Sequence, residues 1–233
     1  PFPSLQLKDI CFNSTCMEQD SIDIVPLFSF SFAQYKKYAS FIIGAVLTYL
    51  VLAILPQIYF MFNAPDPPTT KAQFISFALT LVQVFLSLGF TKIMLLLIQD
   101  KHVEVADMFN NFGAFLSYFV ATFLYGIGVT IGLFLLVAPG LFIAIRFQFY
   151  PYFILEENVN SFTALKKSYY LSQNLTIELF LLGIIMIALN VAGVLTFGIG
   201  IIFTYPLTTM ATALVYKSLT EGEKTIPSDQ YRM

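Results

Sequence analysis

Residues that carry enzyme chemistry are sparse in this sequence and do not form the usual patterns. Its one histidine, His102, lies beside Lys101, so neither an HExxH zinc site nor a centre with several histidine ligands can be built. Glu156 and Glu157 are neighbours in the chain, and consecutive helical residues do not face each other, so they do not make an acid–base pair. We expect no catalytic residues, no metal site and no cofactor.

The two cysteines, Cys11 and Cys16, both lie in the polar N-terminal segment. Without a nearby histidine they supply at most two ligands, too few for a structural zinc site. A disulfide would need an oxidising compartment, so two free thiols and one disulfide remain the alternatives.

Four polar residues interrupt otherwise apolar stretches: Lys92, Arg146, Gln148 and Glu178. Counting at 1.5 Å per helical residue from the expected helix ends places Arg146 about 13 Å, Lys92 about 9 Å and Glu178 about 3–5 Å inside one boundary. An unpaired arginine at such a depth is costly, so we expect Arg146 to pair with Glu178, with Gln148 or backbone carbonyls completing its bonds. This cluster would be either a bridge that stabilises the bundle or a site for an anionic lipid headgroup.

The composition indicates the surroundings of these residues. Of 233 residues, 58% are hydrophobic and only 11% are charged, whereas soluble domains carry roughly 25% charged residues. A lipid bilayer is therefore the expected solvent. The net charge is −2 and there is no basic run, so no nucleic-acid partner is expected.

Stretches of about 20 apolar residues predict membrane-spanning helices. The predicted spans are 40–62, 74–98, 115–138, 141–155, 177–195 and 199–219. They form an all-α membrane domain over residues 28–220, between a polar acidic segment at 1–27 and a short tail at 221–233.

The number of spans depends on Pro139-Gly140, which is either a tight turn between two helices or a kink in one long helix. A turn gives six spans as three hairpins with both termini cytoplasmic, and only Lys71 then lies outside. The other Lys and Arg residues lie inside: Lys8, Lys36, Lys37, Lys92, Lys101, Arg146, Lys166, Lys167, Lys217, Lys224 and Arg232. Five spans would move five of these to the other side, so the positive-inside rule favours six.

Each predicted hairpin follows a mixed polar and apolar stretch, at 28–38, 103–112 and 162–172. The third is amphipathic, and such helices can lie at the membrane interface. Its apolar side is predicted to carry Phe162, Leu165, Tyr169 and Ser172, opposite Lys166 and Lys167. Three similar units, each an interfacial helix followed by a hairpin, are one interpretation of this pattern.

Small residues and prolines are expected to shape the helix contacts. Gly128 and Gly132 form a GxxxG motif, which allows two helices to approach closely either within the bundle or in a homodimer. Pro206 lies among threonines in the sixth span, where hydroxyls can satisfy the backbone that proline frees or can line a polar cavity.

The second half of the chain resembles a bacterial six-helix membrane family that includes YciC-like proteins. It is also similar to the membrane domain fused to some glycerophosphodiester phosphodiesterases. The resemblance, over about residues 100–220, rests on Pro139-Gly140, Ala144-Ile145-Arg146-Phe147, Pro151-Tyr152, Ala164-Leu165-Lys166-Lys167-Ser168, Leu171, Asn174, Leu179-Phe180-Leu181-Leu182, Gly193, Leu195-Thr196-Phe197-Gly198-Ile199-Gly200, Pro206, Ala213 and Tyr216. It implies a bacterial cytoplasmic membrane location and supplies no activity.

The expected function is that of a non-enzymatic membrane protein in envelope homeostasis, lipid handling or assembly of membrane components. Its expected partners are membrane lipids, with other membrane subunits or a second copy as further partners. The alternative is a transporter or channel for a small or lipidic molecule, which the glycine- and proline-interrupted spans would suit. A polar cavity reaching the middle of the membrane would favour this alternative.

Overall fold

The computed structural model describes residues 24–63, 69–173, 175–196 and 200–224, and these are all helix or connection, with no strand among them. In chain order the helices are α1 (Ile24–Lys37), α2 (Ala39–Asn63), α3 (Thr70–Ile98), α4 (Phe112–Leu135), α5 (Val137–Phe147), α6 (Tyr150–Glu157), α7 (Ser161–Leu171), α8 (Thr176–Leu195) and α9 (Ile201–Lys224), with a 3₁₀ turn at Val105–Met108. Cys11, Cys16, Gly198 and the tail from residue 225 lie outside the described residues.

Among the described residues, five helical segments are long and apolar enough to cross a membrane: α2, α3, α4, α5 with α6, and α8. The expected all-helical membrane fold is therefore confirmed at this level. The helix α9 covers the sixth predicted span but is not among these five, because threonines and Lys217 lower its hydropathy. The first helix begins at Ile24, slightly before the domain boundary expected at residue 28.

Helix α2 contains a π-helical segment at Leu50–Ile54, followed directly by Leu55 and Pro56. Proline has no backbone N–H and its ring crowds the preceding turn, so the regular pattern of i to i−4 hydrogen bonds cannot pass through this position. A π-helical turn is one way in which a helix accommodates such an interruption. The long first membrane helix is thereby continued to Asn63.

Between α4 and α5 the chain breaks at Leu136, whose backbone is extended (φ −164°, ψ 145°). The predicted turn at Pro139-Gly140 is therefore wrong by three residues. Pro139 is the third residue of α5, where a helical N–H has no partner within the helix, so proline is tolerated. Past this break α5 folds back along α4, since Tyr125 Oη donates a 3.4 Å hydrogen bond to the Ala144 carbonyl.

Glycines let the two helices approach at this end. A Cβ atom added to Gly132 would lie 2.7 Å from the Cα of Gly140, and one added to Gly128 would lie 3.5 Å from Ile143 Cγ2. The GxxxG motif thus packs against α5 of the same chain, as the interpretation of packing within the bundle required. Gly193 and Gly200 make a similar close approach between α8 and α9, where a Cβ on Gly193 would lie 3.0 Å from the Gly200 carbonyl carbon.

The helices form an inner and an outer group. In its most apolar stretch α3 is 50% buried and the α5–α6 segment 39%, compared with 17% for α4 and for α8. The end of α9 is also internal, with Met210, Ala213 and Val215 fully buried. Large exposed side chains such as Phe123 and Ile187 lie on the outer helices, as expected of residues that face lipid.

The three mixed stretches pack in a cyclic order. Helix α1 packs against α9, the 3₁₀ turn against α3, and α7 against α6. If each mixed stretch and the two spans after it are grouped as one predicted unit, the second and third mixed stretches contact the inner helix of the preceding unit. The first mixed stretch, α1, contacts α9 of the last unit. The stretch 103–112 contains only the short 3₁₀ turn rather than an interfacial helix. The predicted apolar face of α7 is wrong in part: Phe162 is exposed and Ser161, Ala164 and Ser168 are buried instead, whereas Ser172 is buried and Leu165 packs against the core.

Candidate functional site

Arg146 is the one member of the predicted polar cluster that is buried. It lies in the last turn of α5 and is only 8% exposed. Its guanidinium carbon lies 4.8 Å from the centre of the Phe142 ring and 5.1 Å from that of Tyr169. Phe142 is one turn earlier on α5 and Tyr169 is on α7, so the cation lies between two aromatic rings, an attractive but non-hydrogen-bonding arrangement.

The expected pair of Arg146 with Glu178 does not form. No carboxylate of the described residues lies within 4.0 Å of the guanidinium nitrogens, and Nε and Nη1 of Arg146 are buried without a hydrogen-bond partner. Gln148 does not complete the bonds either, because its own Nε2 is buried without a partner. Glu178 lies in the first turn of α8, where the helix dipole favours a negative charge without any ion pair.

Lys92 belongs to a different part of the bundle. Its Nζ donates a long hydrogen bond of 3.4 Å to the carbonyl of Asn110, beyond the 3₁₀ turn. In the part of the chain that the structure describes, no hydrogen bond or ion pair joins any two of the four predicted residues. The candidate site is therefore Arg146 and its surroundings rather than a cluster of four polar groups.

Ser168 in α7 and Ser172 directly after it form hydrogen bonds to the backbone next to Arg146. Ser168 Oγ donates a 3.0 Å hydrogen bond to the Arg146 carbonyl and accepts one of 3.0 Å from the Phe149 N–H, and Ser172 Oγ donates to the same carbonyl at 3.2 Å. These backbone groups lose their helical partners because α5 ends at Phe147 and α6 begins at Tyr150. The backbone groups left without helical partners at this break are thus hydrogen-bonded by two fully buried hydroxyls, those of Ser168 and Ser172.

Ion pairs gather where helices end. Lys37, the last residue of α1, lies 2.7 Å from Asp100, which follows α3, and Tyr38 Oη donates a further bond of 3.0 Å to the same oxygen. Partial burial opposes ionisation of Asp100, but these two hydrogen bonds outweigh it and hold the Asp100 pKa below its ordinary value. The bond to Asp100 raises the pKa of Lys37, against a small effect of burial.

The paired glutamates at the end of α6 belong to the same set of contacts. Glu156 lies 2.5 Å from Lys217 of α9 and accepts a 2.8 Å hydrogen bond from Gln99, while Glu157 pairs with Lys167 of α7. These contacts, together with Lys37–Asp100, form what we call the ionic layer. The glutamates therefore join helix ends.

The inner helices meet through aromatic rings. Tyr152 and Tyr216 stack with ring centres 5.2 Å apart, and Phe153 meets Tyr216 edge-on at 5.0 Å. Further along, Phe90 of α3 stacks with Tyr205 of α9 at 5.3 Å. All of these side chains except Tyr205 are almost fully buried, so rings fill the space between α3, α6 and α9.

The threonines near Pro206 bind mainly to backbone. Thr208 and Thr209 both donate to the Tyr205 carbonyl, at 3.0 and 2.8 Å, and Thr212 donates to the Thr208 carbonyl at 2.9 Å. Asn190 Nδ2 of α8 donates to Thr208 Oγ1 at 3.2 Å. Pro206 is buried inside α9. This pattern is that of local structural support.

Sequence reasoning identified Arg146 but missed the residues that surround it. Phe142 precedes Arg146 by four residues, so helical spacing alone could have placed its ring beside the guanidinium. Tyr169, Ser168 and Ser172 are remote in sequence, and only the fold of α7 against α5 brings them there. Among the described residues, no group of three or more His, Cys, Asp or Glu gathers into a metal site.

The chain has no significant match to a protein-family model, to a curated protein or to a solved structure. The resemblance to YciC-like proteins is thus untested by these comparisons, and the function has to be argued from the geometry.

Proposed function

We propose that this chain is a six-crossing integral protein of the bacterial cytoplasmic membrane that serves lipid handling, envelope homeostasis or the assembly of membrane components, without catalysing a reaction. The observation that carries the proposal is the separation of side chains by position. Aromatic rings fill the interior and apolar side chains cover the outer helices, while the ion pairs of the ionic layer lie where helices end.

The ionic layer supports three hairpins with both termini on one side. It joins the end of α1, the residue after α3, the end of α6, and Lys217 near the end of α9. These are the positions that share the cytoplasmic side in a six-crossing arrangement. Helix α9 has 24 residues, and at 1.5 Å per residue it is about 36 Å long, enough for a sixth crossing.

Transport of a solute is less well supported. A transporter needs a polar route or binding site near the middle of the membrane. Here the inner helices meet through Tyr152, Phe153 and Tyr216, and the hydroxyls of Thr208 and Thr212 are engaged by backbone carbonyls. Partners are therefore expected on the lipid-facing surface, as bound lipids, other membrane subunits or a second copy.

The test is extraction of the protein in polymer-bounded native membrane discs, followed by identification of what remains bound. We expect membrane lipids, or other membrane proteins, in a fixed ratio to the chain. The same preparation reconstituted into liposomes should show no more leakage of small ions or fluorescent solutes than protein-free liposomes. A protein-dependent flux would instead establish the transporter, and recovery of the chain without bound lipid or partner would contradict lipid handling and assembly alike.

A further inference from the structure

The guanidinium of Arg146 carries a charge that the described part of the chain does not neutralise. Arg146 is 8% exposed, and two of its three side-chain nitrogens, Nε and Nη1, are buried without a hydrogen bond. A buried charge without a partner is strongly destabilising, even after the surroundings relax. The two adjacent rings offset only part of this cost. An anion from outside these residues is therefore needed to complete the site.

The surroundings of Arg146 indicate what that anion is. Lys166 lies on α7 three residues before Tyr169, which contacts the guanidinium. Its ammonium nitrogen lies 6.0 Å from the centre of the Tyr170 ring, and Tyr170 meets Tyr169 edge-on. Lys166 is exposed and pairs with no carboxylate of the described residues, whereas its neighbour Lys167 is engaged by Glu157. The rigid, planar guanidinium of Arg146 and the mobile ammonium of Lys166 are together suited to binding a phosphate group.

The position of the site relative to the membrane favours a phosphate that belongs to a lipid. The Arg146 carbonyl is bound by Ser172, which lies four residues before α8 begins, so Arg146 is level with the polar end of a membrane-spanning helix. Phe142 beside the guanidinium, Tyr170 next to Tyr169 on α7, and Ile177 in the first turn of α8 are 43%, 59% and 72% exposed, so each is open to lipid. A charged headgroup site bordered by exposed apolar side chains suits an amphiphile better than a free ion.

We propose that Arg146, with Lys166, binds the phosphate of an anionic phospholipid in the angle between α5, α7 and the start of α8. This inference rests on the proposed function, because it requires the chain to lie in a bilayer. The guanidinium forms two hydrogen bonds to the phosphate oxygens, Lys166 adds a second charge, and the acyl chains lie along Phe142 and Ile177. The centre of the Phe142 ring lies 4.8 Å from the guanidinium carbon, and this half-exposed ring moves aside when the headgroup binds.

The experiment uses the full chain in mild detergent, with phosphatidylglycerol and phosphatidylcholine as probes and native mass spectrometry as the measure of binding. We expect Arg146→Gln to weaken phosphatidylglycerol binding by about tenfold or more, the loss of a charge-assisted pair. Arg146→Lys should be intermediate. Lys166→Gln should weaken binding by a few-fold, whereas Lys167→Gln, the matched control on the same helix, should leave it unchanged.

A second measurement does not depend on the stability of the variants. Phosphatidylglycerol should raise the thermal unfolding temperature of the unmodified chain more than phosphatidylcholine does, and the difference should be smaller in Lys166→Gln. Equal effects of the two lipids would overturn the proposal. So would competition by millimolar inorganic phosphate, which would make the site one for free phosphate, or unchanged binding by Arg146→Gln.

The outcomes separate this site from the function on which it rests. If Arg146→Gln binds phosphatidylglycerol as the unmodified chain does, while the protein still inserts into bilayers and retains other lipids, the site is wrong and the proposed function stands. If the unmodified chain does not insert into bilayers, the proposed function fails first. Glu178→Gln is a further control, since it removes the nearest expected carboxylate of α8, and it should not weaken binding if Glu178 is not the counter-ion.

Discussion

A few individual residues determine how closely the helices of this bundle pack. In lipid there is little hydrophobic drive between helices, so van der Waals contact between backbones matters more than in water. Gly132 and Gly140 provide such a contact between α4 and α5, and Gly193 and Gly200 provide one between α8 and α9. In the sequence, Gly193 and Gly200 stand only among the residues of the family resemblance, since a glycine does not show which helix it will meet.

We predict that Gly132→Leu destabilises the protein. The new side chain would begin 2.7 Å from the Gly140 backbone, and overpacking of this kind typically costs about 1–3 kcal/mol. The measurement is the thermal unfolding temperature in detergent, with unfolding monitored by circular dichroism. Gly126→Leu is the matched control, because Gly126 is exposed on the same helix with nothing within 4 Å of an added Cβ. Equal unfolding temperatures for the two variants would show that close packing at Gly132 does not stabilise the bundle.

Ser168 is the second residue for which the structure predicts a specific effect on stability. Its hydroxyl is fully buried and accepts the Phe149 N–H at the break between α5 and α6. We predict that Ser168→Ala costs about 1–3 kcal/mol, because it leaves a buried donor without a partner. Ser172→Ala should cost less, since Ser172 only donates, to carbonyls that Ser168 or the helix also engages. A larger loss of stability in Ser172→Ala than in Ser168→Ala would contradict this account.

At the scale of elements, one ion pair attaches α1 to the end of α3. Asp100 has a positive φ of 53°, a conformation that Asp and Asn tolerate better than most residues. Lys37 and Tyr38 both donate to its carboxylate. Both charged side chains are about half-exposed, so the pair is worth at most about 1 kcal/mol.

This attachment should depend on pH. Because the Asp100 pKa is lowered in the folded protein, the stabilisation is present above the ordinary carboxylate pKa of about 3.9 and is lost as the pH falls through the lowered value. The raised pKa of Lys37 keeps its contribution up to about pH 10 and beyond. We predict faster hydrogen exchange in α1 near pH 3 than near pH 6, after correction for intrinsic rates.

The control for this prediction is Asp100→Asn, which keeps a side chain suited to positive φ and removes the charge. Its α1 exchange should already be raised at pH 6 and should change little on acidification. If the variant keeps the pH dependence of the unmodified chain, another acidic group controls the attachment of α1.

The elements themselves were largely predictable from sequence, because runs of about 20 apolar residues have few other structures available in lipid. The boundaries were less so. The sequence predicts the turn at Pro139-Gly140, yet Leu136 carries the break, because proline is also acceptable in the first turn of a helix. The stretch 103–112 has helical composition but is fixed by the contact of Met108 with Gly89 of α3.

The site was harder to predict than the elements. A buried arginine could be expected from its place within an apolar run, and its depth suggested a carboxylate partner. The predicted pair of Arg146 with Glu178 does not form, because the rotation of each helix about its axis decides which side chains meet. That rotation follows from packing across the whole bundle. Arg146 faces Phe142 and Tyr169 instead, and no local pattern around residue 146 identifies a ring at residue 169.

At the scale of the whole molecule, the three predicted units contact one another in a closed order. Each carries an outer helix, an inner helix and a polar element, and each polar element packs on the inner helix of the unit before it. This arrangement explains why α3, the α5–α6 segment and the end of α9 are the most buried. It also places the ionic layer at one end of the bundle, where it can fix the relative positions of all three inner helices at once.

The arrangement in the membrane is the last prediction. In a background with Cys11 and Cys16 replaced by Ser, we introduce single cysteines at Lys71, in the first turn of α3, and at Gln173, between α7 and α8. Both positions are exposed, and neither side chain is engaged in an ion pair within the described residues. With six crossings, Lys71→Cys should react with a membrane-impermeant maleimide in intact cells, and Gln173→Cys should react only after permeabilisation.

Lys101→Cys, in the connection after α3, serves as the internal reference, because it lies on the inner side whether the chain crosses five or six times. Gln173 moves to the outer side if the α4 to α6 region crosses only once. Glu156 contacts both Lys217 of α9 and Gln99 at the end of α3, so these contacts favour an arrangement in which α6 and α9 end on the same side as α3. Labelling of Gln173→Cys from outside, with Lys101→Cys protected, would contradict six crossings and the common side of the ionic layer together.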